Sequence, residues 1–282
     1  MIDIGKYHRL VISKHEEHGI YLTDDSEEIL LPNQYLSENE EDWQIGKHLD
    51  VFVYLDSEDR PVATTEKPAA CVGECAYLSV IGQSGFGSFL DWGLSKDLLV
   101  PFKEQRVPME TGRSYVVYIF LDSSQRIAAS SMLSRHLSEI NEDDFEHRQQ
   151  VDLLIASRSD LGFKAVIDGS HLGLIHNNEL VRPIKVGERM EGYIGKPRSD
   201  GRINLTLQKL AYEVRDELSD QILDHLNQNG GRINLTDKSS PAEINAVFHV
   251  SKSNYKKALG KLLKEEKIIF HEKSVRLAKQ SD

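Results

Sequence analysis

The sequence predicts a mainly β protein with a C-terminal α+β domain, in which three tandem five-stranded barrels precede a winged helix-turn-helix domain. Three stretches repeat one plan of alternating residues, a Leu-rich triplet and short turns in units of about 60 residues, which suits small closed barrels. From residue 209 the apolar period changes from two to about 3.6, which indicates helices. The predicted units are 1–66, 67–133 and 150–208, with a polar, partly helical connector at 134–149 and the helical domain at 209–282.

Corresponding positions mark the three repeats. In each, a glycine-containing β-rich run is followed by an apolar triplet that ends at Pro32, Pro101 or His176. The step from that residue to the next glycine is 14, 11 and 11 residues. Period-two alternation bounded by turn residues predicts the strands. They are expected at Tyr7–Ser13, His18–Leu22 and Leu49–Tyr54, at Gly73–Ile81, Gly87–Asp91 and Ser114–Leu121, and at Val151–Ser157, Phe163–Ile167 and Glu191–Lys196.

The C-terminal region has the signals of three helices and a β-wing. Apolar residues recur every four positions, and Gly230-Gly231 then supplies a stop. Ser240 to Glu243 is a capping box with proline at the first helical position, so a short helix is predicted through Phe248. A third helix is predicted over Lys252–Glu266, and a small hairpin follows. The four-residue series is Leu210, Val214, Leu218, Ile222 and Leu226.

The acidic net charge of −11 argues at first against nucleic-acid binding. The distribution of charge along the chain, however, is compatible with such binding. Residues 1–68 hold 6 Lys+Arg and 16 Asp+Glu, whereas residues 151–211 hold 9 and 7 and residues 212–282 hold 12 and 11. Acidity is thus concentrated in the first repeat. The chain has no apolar run long enough for a membrane helix and no secretory pattern at its start, so a cytoplasmic protein without a membrane partner is expected.

The sequence offers little for catalysis. Cys71 and Cys75 lie four apart, on one side of a strand, and further metal ligands at fixed spacing are missing, so two small buried thiols are expected. Neither a phosphate-cradling Gly-Lys-Ser/Thr loop nor a Gly-x-Ser-x-Gly elbow occurs. We therefore expect a protein that is not an enzyme and needs no cofactor or metal.

One segment of the second repeat is similar to a known domain. The run from Gly85 to Gly93 resembles the glycine–aromatic core of the S1 RNA-binding domain, a five-stranded OB-fold barrel, and Gly173-Leu174-Ile175-His176 resembles the second half of that pattern. Three such repeats before a winged helix resemble the conserved virulence factor B (YitL-like) family. This resemblance covers nearly the whole chain and implies RNA binding with effects on gene expression, and no reaction.

Candidate binding residues are flat rings and cations, because exposed aromatic side chains stack on bases and cations contact phosphates. The candidate stacking rings are Tyr21, Phe86, Phe89, Trp92, Phe163 and His176. In the third repeat the candidate phosphate ligands are Lys164, Lys196, Arg198 and Arg202. The third helix adds a lysine face that suits backbone binding better than base reading. The candidate lysines of this helix are Lys252, Lys256, Lys257, Lys261 and Lys264, of which Lys257, Lys261 and Lys264 form the shared face.

The leading hypothesis is an RNA-binding protein that holds single-stranded RNA on the third barrel and on the second, and that regulates gene expression after transcription. The helical domain would add backbone contacts, and the acidic first barrel would repel phosphate. Two alternatives stay open. One is a transcription regulator that binds duplex DNA through its winged helix, with the barrels as protein-interaction modules. The other is a protein adaptor, for instance on the ribosome.

Overall fold

The structure is a computed structural model that describes residues 2–37, 39–180, 182–208, 211–271 and 274–278. The chain divides into two compact units, Met1–Leu207 and Gln208–Asp282. The first unit contains three five-stranded barrels, and the second contains three helices and a small sheet. The predicted fold class is confirmed.

The first barrel is closed, with strand order β1-β2-β3-β5-β4. Alternate residues of its strands, such as Leu10, Ile12 and Leu22, form the core because successive side chains of a strand point to opposite faces. Its strands are β1 Tyr7–Glu16, β2 Gly19–Thr23, β3 Glu28–Pro32, β4 His48–Leu55 and β5 Pro61–Thr64.

The second and third barrels repeat this plan. The second has strand order β10-β9-β6-β7-β8, with β8 and β10 side by side, and the third is closed as β11-β12-β13-β15-β14. The strands of the second barrel are β6 Cys75–Gln83, β7 Gly87–Asp91, β8 Leu98–Pro101, β9 Ser114–Leu121 and β10 Ile127–Ser130. Those of the third are β11 Gln150–Ser159, β12 Gly162–Ile167, β13 His171–His176, β14 Arg189–Ile194 and β15 Ile203–Thr206.

A glycine at the start of the second strand sets the register in every barrel. A Cβ on Gly162 would lie 2.0 Å from the carbonyl oxygen of Ile175, and one on Gly19 or Gly87 would lie 2.2 Å from the equivalent carbonyl. Only glycine allows this close approach between the second and third strands. Because side chains alternate, the residue one after the glycine points into the barrel and the residue two after it points outward.

The second and third barrels pack directly on each other. Arg189 donates from Nη2 to the carbonyl of Cys75 at 3.3 Å. Tyr77 packs over Gly187 so closely that a Cβ there would lie 2.2 Å from the ring. A buried apolar cluster that includes Leu133, Leu154 and other residues of both barrels lies between them. The two barrels therefore form one continuous body.

The connector after the second barrel was expected to be partly helical, and this expectation is largely wrong. A single 3₁₀ turn at Leu133–Arg135 is followed by a segment that runs along the third barrel. The amide of Leu172 donates to the carbonyl of Ser138 at 2.7 Å, and the amide of Asn141 donates to that of Gly201 at 3.0 Å. Pairing with barrel strands satisfies its backbone in place of a helix.

The second unit has the predicted helices and wing. Ser240 and Glu243 form the capping box at the start of α2, and Leu218, Ile222 and Leu226 are buried. Leu210 and the side chain of Val214 lie outside the described part of the chain. The sequence did not reveal β16, whose two residues are too few to show a period. The elements are α1 Ala211–Gln228, β16 Arg232–Ile233, α2 Pro241–Phe248, α3 Lys252–Lys264, β17 Ile268–His271 and β18 Ser274–Leu277, with sheet order β16-β18-β17. None of the described helices combines the length and apolarity that a bilayer crossing requires.

Candidate nucleic-acid interface

The second barrel presents aromatic side chains to solvent. Phe86, in the turn before β7, is 71% exposed, and Phe89 is half-buried on the outer side of β7. Phe102, just after β8, is 54% exposed, and its amide donates to the carbonyl of Phe86 at 3.0 Å. We call Phe86, Phe89 and Phe102 the aromatic surface. Trp92 is 3% exposed in the core of this barrel, so the expectation of a stacking ring there is wrong. The sequence analysis missed Phe102, although its place next to Pro101, at the end of the repeated triplet, was a usable signal.

Phe163 does not belong to an exposed surface, and the expectation of a stacking ring there is wrong. Its side chain is 7% exposed within the core of the third barrel. The cause is the register set by Gly162, which turns the next residue inward, as Gly87 does for Ser88. Lys164 takes the outward position that Phe89 has in the second barrel. The third barrel therefore presents a cation where the second presents a ring.

Two predicted cations of the third barrel meet a carboxylate from the connector. The ammonium of Lys164 lies 2.7 Å from Oε1 of Glu139, and the guanidinium of Arg202 lies 3.9 Å from Oε2. The hydrogen bond from Lys164 is the main cause that lowers the pKa of Glu139, and Arg202 adds to it. The connector thus partly neutralises the predicted phosphate ligands.

A second group lies at the other predicted residues of this barrel. Arg198 donates from Nε and Nη2 to the two oxygens of Asp200, at 2.8 and 2.7 Å, and this pairing lowers the pKa of Asp200 to about 2. Nε2 of half-buried His176 and Nη1 of Arg198 both donate to Oδ1 of Asn204, at 3.2 and 3.3 Å. Lys196 is exposed. The structure thus brings His176 and Arg198 together on one amide.

The lysines of α3 differ in their availability. Lys256, Lys257 and Lys264 are exposed, and no described side chain forms an ion pair with them. Lys261 is half-buried, with its ammonium 3.6 Å from Glu265, and Lys252 donates to a backbone carbonyl at 3.4 Å. Lys257 and Lys264 lie opposite the buried face of the helix, so α3 offers cations to an anionic partner.

The described residues lack the usual elements of a metal or thiol site. No group of three or more His, Cys, Asp or Glu side chains among them is arranged to hold a metal ion. Cys71 and Cys75 are not disulfide-bonded. Burial raises the pKa of the Cys75 thiol to about 12, so this thiol stays protonated and is a poor nucleophile.

Comparison with known proteins identifies the domains. The S1 domain model matches residues 4–66 and 72–131, which contain the first two barrels, and the model of the CvfB-like winged helix domain matches residues 220–277. Both matches agree with the observed folds. OB-fold barrels and helix-turn-helix relatives commonly bind nucleic acid, which supports nucleic-acid binding by this chain.

Curated relatives match most of the chain. The uncharacterized protein YitL of Bacillus subtilis (strain 168) is 30% identical over 276 residues, which cover 94% of this chain and 90% of that protein. Conserved virulence factor B of Staphylococcus epidermidis (strain RP62A) is 25% identical over 256 residues, covering 88% and 86%. A solved multidomain protein with nucleic acid binding domains from Streptococcus pneumoniae TIGR4 is 23% identical, with a TM-score of 0.40 and coverage of 97% and 98%. On the sequence matches, the chain belongs to the YitL and conserved virulence factor B family.

Proposed function

We propose that this protein binds single-stranded RNA without catalysing a reaction, and that it regulates gene expression after transcription. The observation that carries the proposal is the aromatic surface of the second barrel, where Phe86 is 71% and Phe102 is 54% exposed. Solvent-exposed aromatic rings on an OB-fold barrel can stack on any base. Each base–aromatic stack contributes about 1–3 kcal/mol to the free energy of binding.

The distribution of charge supports a path along the second and third barrels. Residues 1–68 carry 6 Lys+Arg against 16 Asp+Glu, so the first barrel repels phosphate. The third barrel adds exposed Lys196 and the half-buried Lys164, which lies at the position of Phe89. The stacking surface and these two cations are therefore on neighbouring barrels.

A second candidate function is duplex DNA binding by the winged helix. The observation that favours it is the set of exposed lysines on α3 with which no described side chain forms an ion pair, namely Lys256, Lys257 and Lys264. Lysine neutralises phosphates but reads bases less well than Arg, Asn or Gln, so contacts to the backbone are expected.

The test is a fluorescence-anisotropy titration of the full chain with labelled single-stranded RNA, the same sequence as single-stranded DNA, and duplex DNA, each at several salt concentrations. We expect the tightest binding to single-stranded RNA, with affinity that falls as salt rises. Substitution of Phe86 by alanine should weaken this binding, whereas Ile45→Ala, an exposed apolar position on the first barrel, should not.

Other outcomes select other functions. A preference for duplex DNA that is lost in Lys257→Glu and kept in Phe86→Ala would select the winged-helix regulator. A chain that binds none of the three nucleic acids would contradict both proposals. The protein adaptor would then be the remaining hypothesis.

A further inference from the structure

A cleft of about 710 Å³ opens between the second and third barrels. Its floor is part of the buried apolar cluster that joins the two barrels. Among the described residues, no Asp or Glu side chain lines it. The cations that line it are Arg106, Arg113, Arg135, Arg158 and Lys164.

Carboxylates just outside the lining compensate three of these five cations. They are Glu110 at 3.0 Å from Arg113, Glu104 at 3.4 Å from Arg135, and Glu139 at 2.7 Å from Lys164. Arg106 and Arg158 differ, since neither forms an ion pair with a carboxylate of the described residues. Arg106 donates from Nη1 to the hydroxyl of Ser157 at 3.2 Å, and the guanidinium of Arg158 lies 5.9 Å from the ring centroid of buried Phe163. The cleft therefore carries two guanidinium groups that form no ion pair with a described carboxylate, although the charge of Arg106 also contributes to lowering the pKa of Glu139.

These two arginines come from different barrels, and both line the cleft. Arg106 lies in the second barrel, before β9, and its contact with Ser157 on β11 spans the junction of the two barrels. Arg158 is the next residue along β11. A planar guanidinium presents a fork of donors that matches the oxygens of a phosphate, and a cleft with an apolar floor concentrates the field of its cations.

The cleft lies near the aromatic surface. Nη1 of Arg135, which lines the cleft, donates to the carbonyl of Lys103 at 3.2 Å. Lys103 follows Phe102, whose amide donates to the carbonyl of Phe86 at 3.0 Å. A short run of direct contacts therefore connects the exposed rings with the cationic cleft.

We propose that this cleft binds the phosphodiester backbone of a single strand whose bases stack on the aromatic surface, with Arg106 and Arg158 as its principal phosphate ligands. The inference rests on the proposed function, because it extends the path of the same strand from the second barrel toward the third.

The experiment measures the salt dependence of binding by the full chain and a labelled single-stranded RNA of about 16 nucleotides, the upper site size of one OB fold. Each phosphate contact to a single strand contributes about 0.7 to the slope of log K against log salt, so Arg106→Ala with Arg158→Ala should lower the slope by about 1.4. Between about 50 and 200 mM salt, the affinity of this double variant then falls about sevenfold less than that of the natural chain.

Three controls separate the cleft from other effects. Arg106→Lys with Arg158→Lys keeps both charges and should keep the slope. Arg9→Ala removes an exposed cation of the first barrel and should leave binding unchanged. Phe86→Ala should weaken binding at every salt concentration with the slope unchanged, because it removes no charge. Thermal denaturation of each variant checks that the fold persists.

Each contrary outcome has a distinct meaning. An unchanged slope in the double alanine variant, together with weakened binding in Phe86→Ala, would overturn the cleft and keep the proposed function. If the double lysine variant lowered the salt slope as much as the double alanine variant, the cleft proposal would also be overturned. The change in slope would then not result from the loss of positive charge. A natural chain that binds no single-stranded RNA would overturn both.

Discussion

Phe86 and Phe163 have the same side chain in neighbouring barrels, and the structure predicts opposite effects when each is replaced by alanine. Phe86 is 71% exposed, so its truncation should cost less than about 1 kcal/mol of stability. It should weaken single-stranded RNA binding by about 1–3 kcal/mol, which is about 5- to 150-fold in Kd. Phe163 is 7% exposed, and its truncation leaves a cavity that should cost about 3–5 kcal/mol.

The assay pairs thermal denaturation with anisotropy titration of the full chain. For a unit of this size, 1 kcal/mol corresponds to about 2–4 °C in Tm, so Phe163→Ala should lower the Tm of the barrel unit by about 6–20 °C. Below its transition, this variant should retain most of its affinity. Refutation would be the reverse pattern, in which Phe163→Ala weakens binding at unchanged Tm and Phe86→Ala binds like the natural chain.

Three further substitutions test the roles of the connector, of the register glycine and of α3. Glu139→Gln should free Lys164 and steepen the salt slope of RNA binding by about 0.7, as measured by titration, and an unchanged slope would show that the ion pair does not limit binding. Gly162→Ala should cost more than about 3 kcal/mol in urea denaturation, because it adds a backbone clash to an unfavourable φ, whereas Gly169→Ala, with open space around it, should cost about 1 kcal/mol. Equal losses would contradict the register argument. Gly260→Ala should slow hydrogen exchange in α3, since an exposed helical glycine costs about 0.5–1 kcal/mol relative to alanine, and faster exchange would contradict this.

The fold could be predicted from the sequence because its signals are local. Alternation, turn residues and the spacing of glycines repeat three times, and the capping box at Ser240 marks α2 within four residues. The direction of Phe163 was harder, because the sequence leaves open which of two adjacent residues points outward. A backbone contact between β12 and β13 decides it, since Gly162 must face a carbonyl.

The cationic cleft could not be predicted from local patterns. Its lining combines Arg106, Arg135 and Arg158, which stand far apart in the chain and meet only because two barrels dock. Glu139 was part of a polar connector in the sequence, yet its place beside Lys164 depends on how that connector pairs with the third barrel. These contacts depend on the tertiary structure and cannot be found from local sequence patterns.

The close packing of Tyr77 over Gly187 has a consequence for the energetics of recognition. Because the ring leaves no room for a Cβ, the second barrel cannot slide along the third without losing this contact and uncovering the apolar cluster beside it. The separation between the aromatic surface and the third barrel's cations is therefore preset before any ligand arrives. A nucleic-acid strand that matches this spacing loses its own conformational freedom on binding, whereas the two barrels need no rearrangement. The binding surface is therefore preorganised.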